Sequence, residues 1–137
     1  MMTSRVLLVE DDPDDLELAL LAFDRGRFAI RVDVARDGAE ALAYVSDPGQ
    51  DPRLVLLDVN LPRVDGIEVL RRLKEDPDTR HIPVVMLTSS AQDRDLHACY
   101  ELGANSYIVK PVDLELFFTA IQEIGKYWLL LNQPECV

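Results

Sequence analysis

Three short, unbroken apolar runs constrain this chain more than any other feature: Val6–Val9, Leu54–Leu57 and Val84–Leu87. None alternates with polar residues and none is long enough for a helix. Each therefore predicts a strand covered on both faces, as a central strand of a parallel sheet is. Tyr107–Val109 is a shorter run of the same kind. Residues 28–34 differ, because Arg31 and Asp33 alternate with apolar positions, which is an edge-strand pattern. Between the runs lie segments of helical periodicity. Leu16–Arg25 is entered through Asp12-Pro13 as an N-cap and first-turn pair, and Ala39–Val45 follows Asp37-Gly38. Ile67–Lys74, then Gln92–Leu102 after Ser90, and Leu114 to about Leu131 after Asp113 complete the set. Strand and helix thus alternate throughout, which predicts an α/β fold: a doubly wound, five-stranded parallel sheet with right-handed crossovers. The edge pattern in the second strand favours the order 2-1-3-4-5, with ligands expected at the carboxyl ends of the strands.

The 137 residues suit one domain, 1–137, with its core over about 4–127 and residues 128–137 as a helix end and tail. Only 24 residues follow Asp113, so no output domain is expected. Twenty-five acidic residues against 14 basic ones give a net charge of −11. Such a surface repels nucleic-acid backbones and anionic lipid, so neither nucleic acid nor membrane is an expected partner. Cys99 and Cys136 lack metal-ligand spacing and read as free thiols. The apolar run near the N-terminus, Val6–Val9, is too short for a signal-peptide core, and the expected location is cytoplasmic.

The runs end alike. The first strand is followed by Glu10-Asp11-Asp12, the third by Asp58, the fourth by Thr88-Ser89-Ser90 and the fifth by Lys110-Pro111. A parallel sheet brings these ends to one edge, where carboxylates, a hydroxyl and an ammonium converge. Clustered carboxylates require a cation, and oxygen ligands with room for water suit Mg²⁺. A carboxylate can also attack phosphorus to give an aspartyl phosphate, with the metal, lysine and threonine stabilising the phosphoryl oxygens. The chain has no Walker-type or dinucleotide-binding glycine motif.

Val9-Glu10-Asp11-Asp12-Pro13, Asp58-Val59-Asn60-Leu61-Pro62-Arg63-Val64-Asp65-Gly66, Leu87-Thr88-Ser89-Ser90 and Gly103–Pro111 together resemble the receiver domain of bacterial response regulators, over essentially the whole chain. The resemblance implies a flavodoxin-like (βα)5 fold and a phosphoacceptor signalling role in a two-component phosphorelay, not an enzymatic one. Asp58 would accept the phosphoryl group. Asp11, Asp58 and the carbonyl of Asn60 would bind Mg²⁺, with Glu10 acting nearby through a metal-bound water. Thr88 would bond the phosphoryl group, Lys110 would pair with Asp58 or its phosphate, and Tyr107 would swing inward with Thr88. The Lys110–Pro111 bond would be cis. The implied partner is a sensor histidine kinase or a phosphotransfer protein. Together with the Asp11–Asp15 start and the Asn60–Gly66 loop, the apolar Tyr127–Leu131 segment further resembles single-domain regulators that work with bacterial phytochrome kinases. Homodimerisation through the 92–131 face would be in character.

Several residues keep two readings. Asp12 reads better as a helix cap than as a metal ligand. Tyr107 is either a switch or a partly buried edge residue. Residues 127–131 either fold back onto the domain or form a docking patch. His81 and His97 stand apart from the carboxylates. Two rival functions remain: a receiver-like interaction module that needs no phosphorylation, and a phosphohydrolase of the haloacid dehalogenase type. The latter expects a second aspartate where Asn60 stands.

Overall fold

The computed structural model describes residues 4–26, 30–88, 101–109 and 114–125. Its elements alternate as expected: β1 (Ser4–Val9), α1 (Pro13–Gly26), β2 (Ile30–Ala35), α2 (Gly38–Ser46), β3 (Leu54–Asp58), α3 (Gly66–Glu75), β4 (Val84–Thr88), β5 (Ser106–Val109) and α4 (Leu114–Gly125). The five strands form one parallel sheet in the order β2-β1-β3-β4-β5. The segment expected to be helical over 92–102 lies outside the described residues except at its end. So do Phe28, Ala29, Ser90, His97, Cys99, the Lys110–Pro111 bond and residues 126–137.

The unbroken apolar runs behave as their pattern requires. Successive strand side chains point to opposite faces, and both faces are covered. Val6, Leu8, Leu54, Leu56, Val85 and Leu87 pack under α1 and α4, against Leu16, Ala19, Phe23, Phe117 and Ile121. Leu7, Val9, Val55, Leu57, Val84 and Met86 pack under α2 and α3, against Ala41, Val69, Leu70 and Leu73. β2 is half-buried along most of its length, as the Arg31/Asp33 alternation anticipates. Among the described residues, no helix is long and apolar enough to cross a membrane.

Element boundaries shift outward from the sequence reading, each for a local reason. β3 and β4 extend to Asp58 and Thr88, because the ladder carries on through the polar residues: Asp58 is in register with Leu87 and Thr88 with Val109. Helices α2 and α3 begin one residue early, at glycine, because the preceding aspartate is the cap. Asp37 accepts the Glu40 N–H at 2.7 Å, and Asp65 accepts the Glu68 N–H at 2.9 Å. Both helices thus open with the same Asp-Gly-x-Glu sequence.

Those glycines set the close packing of the loop after β3. A Cβ at Gly66 would lie 2.0 Å from the carbonyl oxygen of Asp58 and 2.7 Å from Cα of Val59. A Cβ at Gly38 would lie 1.8 Å from the carbonyl oxygen of Val64. The loop is closed by the Gly66 N–H on the Val59 carbonyl at 2.9 Å. Within it Arg63 adopts φ 71°, in the left-handed region. Residues 59–65 are therefore held between the end of β3 and the start of α2.

A second tether joins α2 to the edge strand. The Tyr44 hydroxyl donates to Asp33 Oδ2 at 2.6 Å, and Arg31 Nε donates to Asp33 Oδ1 at 2.9 Å. Burial alone would raise the Asp33 carboxyl, but the bonds from Tyr44 and Arg31 outweigh it and hold the group below its ordinary value. Burial and the Asp33 bond push the Tyr44 hydroxyl up to about 12.

Two outcomes are expected. A carboxyl with a depressed folded pKa stabilises at neutral pH and loses that contribution as pH falls through about 4 and below. A phenol with a raised one keeps its contribution below pH 10 and loses it as pH climbs towards 12. Tyr44→Phe should cost between about 1 and 3 kcal/mol at pH 7 and make both flanks of the stability–pH curve shallower, as read by urea unfolding across pH. Gly66→Ala must displace backbone, not a flexible side chain. It should lose about 1–3 kcal/mol, seen as a lower urea midpoint.

Candidate functional site

The register of the central strands assembles the site. Val9 is paired with Leu57, so the residues that follow, Glu10 and Asp58, come side by side at the carboxyl edge of the sheet. Glu10 continues the strand path past β1, its N–H donating to the Ala35 carbonyl at 3.0 Å. Asp58 ends β3, and the next N–H, of Val59, donates to the Leu87 carbonyl at 2.8 Å. Both side chains are nearly shut off from solvent, with Glu10 1% and Asp58 4% exposed, whereas Asp11 is open to it. One carboxylate oxygen from each of Glu10, Asp11 and Asp58 lies within 4.8 Å of the other two.

Backbone donors support two of these carboxylates. The Asp12 N–H reaches Glu10 Oε1 at 3.3 Å, and the Asn60 N–H reaches Asp58 Oδ1 at 3.0 Å. Such bonds fix the two side chains in place, and two near-buried carboxylates this close repel strongly. A divalent cation would relieve that repulsion, and the spacing fits one. Oxygens on opposite sides of Mg²⁺ stand about 4.2 Å apart, from bonds of about 2.1 Å. Adjacent ligands on the same ion stand about 3 Å apart, so oxygens within 4.8 Å of one another need only side-chain adjustment to share one ion. These carboxylates can therefore hold a metal ion.

The residues singled out from the sequence are brought together only in part. Glu10, Asp11 and Asp58 meet. Asp12 is not among them: its Oδ1 accepts the N–H groups of Asp14 at 2.8 Å and Asp15 at 3.4 Å, so it caps α1, in agreement with its place before Pro13. Asn60 follows Asp58 on the loop with its side chain exposed. Thr88 is the last residue of β4. Tyr107 is half-buried on β5, packed against the core beneath α2 and α3, as an edge residue would be. Lys110 lies outside the described residues. His81 stands on the exposed surface, 3.9 Å from Asp51. Sequence reasoning misses the clamping of the 59–65 loop by Gly38 and the left-handed Arg63. The signal that could have found the clamp is the repeated Asp-Gly pair at 37–38 and 65–66.

A model of the response regulator receiver domain matches residues 6–122. The probable methanogenesis regulatory protein FilR2 of Methanothrix harundinacea is 43% identical over 132 residues, covering 93% of this chain and 85% of that protein. Response regulator Rcp1 of Synechocystis is 39% identical over 129 residues, covering 90% and 88%. The Mn²⁺-bound form of Rcp1 superposes with a TM-score of 0.84, at 36% identity over 95% of this chain and 97% of its own. The phosphorylated cyanobacterial phytochrome response regulator RcpA gives a TM-score of 0.89 at 36% identity, covering 96% and 98%. The bacteriophytochrome response regulator AtBRR gives 0.77 at 51% identity, covering 97% and 100%. A family match across most of the chain and a shared fold lead to one conclusion: this chain belongs to the response regulator receiver domain family, whose stand-alone members are signalling proteins of two-component systems and not enzymes.

Proposed function

We propose that Asp58 is the phosphoacceptor of this receiver, and that residues 1–137 form one such domain in the cytoplasm. The observation that carries this is the pairing of a near-buried Asp58 with Glu10 and Asp11 at the sheet edge where the loops converge. An oxygen of the Asp58 carboxylate attacks phosphorus. The O–P bond forms as the P–N bond to a donor phosphohistidine breaks, and the departing imidazole nitrogen keeps the electron pair and takes up a proton. The Asn60 N–H on Oδ1 orients the carboxylate for that attack.

Asp11, Asp58 and the Asn60 carbonyl would hold Mg²⁺ in this reading, with Glu10 close by to act through water. When bound, the ion supplies positive charge opposite the phosphoryl oxygens. Lys110 pairs with Asp58 or its phosphate, Thr88 bonds the phosphoryl group, and Tyr107 follows Thr88 inward to alter the face that partners meet. The added negative charge, roughly 1.5 to 2 units, drives the change. The likeness to RcpA and AtBRR supports a bacterial phytochrome as the kinase. The apolar Tyr127–Leu131 sequence is what suggests a homodimer through the 92–131 face.

Incubation with a small phosphodonor and Mg²⁺, read by intact mass, should add one labile phosphoryl group. Asp58→Asn, or a chelator, should abolish it; addition to the variant would refute Asp58. A shift on a sizing column upon phosphorylation would support the dimer. Asp11→Asn should weaken Mg²⁺ binding by roughly tenfold or more in isothermal calorimetry while the fold's unfolding midpoint holds or rises.

A further inference from the structure

We propose that Arg63 is a specificity-determining residue of the phosphotransfer site, the counter-charge that admits a dianionic phosphoryl donor to a rim of carboxylates. This rests on Asp58 being the phosphoacceptor. Three observations carry it.

The first is backbone strain. Among the described residues, Arg63 is the one non-glycine residue with positive φ, at 71°. An L side chain is disfavoured there, whereas glycine is not. A strained position occupied by a long cationic side chain points to a use for that side chain.

The second is placement. Arg63 is five residues past Asp58, in the loop closed by the Gly66 N–H on the Val59 carbonyl and wedged by Val64 against Gly38. The loop is held at both ends, so the charge stays at the carboxyl edge of the sheet, beside Asp37. Its side chain is 72% exposed, and its ion pair with Asp37 is a long one, Nη1 to Oδ2 at 3.9 Å. The other oxygen of Asp37 is committed to capping α2. Arg71 differs, since both Glu68 and Glu75 hold its guanidinium.

The third is the local charge. The carboxyl edge of the sheet carries Glu10, Asp11, Asp12, Asp37, Asp58 and Asp65. Against these, the described loops that follow β1, β2 and β3 contribute Arg36 and Arg63 as cations. A dianionic donor approaching this edge meets repulsion that an exposed guanidinium offsets.

A fixed positive charge acts on a cation and on a dianion with opposite sign, and this gives a signature that structural damage does not produce. At low salt, Arg63→Gln should bind Mg²⁺ about two- to fourfold more tightly by calorimetry. It should be phosphorylated by acetyl phosphate more slowly by a similar factor, and by the largely monoanionic phosphoramidate by less. Both differences should vanish at high salt. Arg63→Lys should behave as the wild type. Arg63→Gly should be more stable to urea, through relief of the left-handed strain, yet show both charge effects. Unchanged Mg²⁺ affinity and rate in Arg63→Gln, a joint fall of both, or wild-type kinetics in Arg63→Gly would each overturn the proposal. If the wild type takes up no phosphoryl group, the reading of Asp58 is what fails. The Mg²⁺ affinities then still test Arg63, and the absence of tightening overturns its role.

Discussion

Glu10 and Asp58 are two carboxylates held side by side where water scarcely reaches them. Most of the molecule can be understood as the means of imposing that unfavourable proximity. β1 and β3 are apolar on both faces and covered on both, so a slip of one residue in their pairing would move every buried side chain to the wrong layer. The hydrophobic energy of the whole central sheet thus stands behind the register that sets the two acids together. Repulsion on the order of a few kcal/mol cannot compete with it, and the repulsion persists as a standing demand for positive charge. A receiver domain needs such a demand: the site is poised to take a cation, and then to respond when a phosphoryl group changes the balance.

The loop after Asp58 adds a second kind of constraint. It is fixed by backbone approach as well as by the burial of Val59 and Leu61, since the starts of both α2 and α3 leave no room for a Cβ. The end of β3 and the first turns of two helices therefore form one stiff unit. The Tyr44–Asp33 bond extends that unit to the edge strand. If Asp58 is the phosphoacceptor, rigidity on the β2, β3, α2 and α3 side would leave the response to the opposite side, where β4 ends at Thr88 and β5 carries Tyr107.

Much of this is legible in the amino-acid order, and some is not. Strand order follows from a single contrast, the alternation at Arg31 and Asp33 against the unbroken runs elsewhere, because burial on one face or two writes itself into periodicity. The meeting of Glu10, Asp11 and Asp58 follows from topology alone, since parallel strands bring their carboxyl ends to one edge. The cap at Asp12 is readable because Pro13 marks the first turn. The Tyr44–Asp33 bond is not readable, since it joins two elements whose relative rotation is a property of packing. Nor is the strain at Arg63, which depends on the loop being closed at both ends by contacts distant in sequence. Helix starts read one residue late when Asp-Gly is treated as a lead-in, because aspartate is the cap and glycine the first residue of the turn.

The edge strand has a consequence for how copies of this chain can meet. β2 borders the sheet, and a border strand with bare backbone groups invites another chain to add a strand. Here an incoming strand would have to cover the exposed Arg31 and disturb an Asp33 already committed to Tyr44 and Arg31. Growth by continuing the sheet across two molecules is thereby discouraged on this border, which guards the chain against fibrous aggregation from that side.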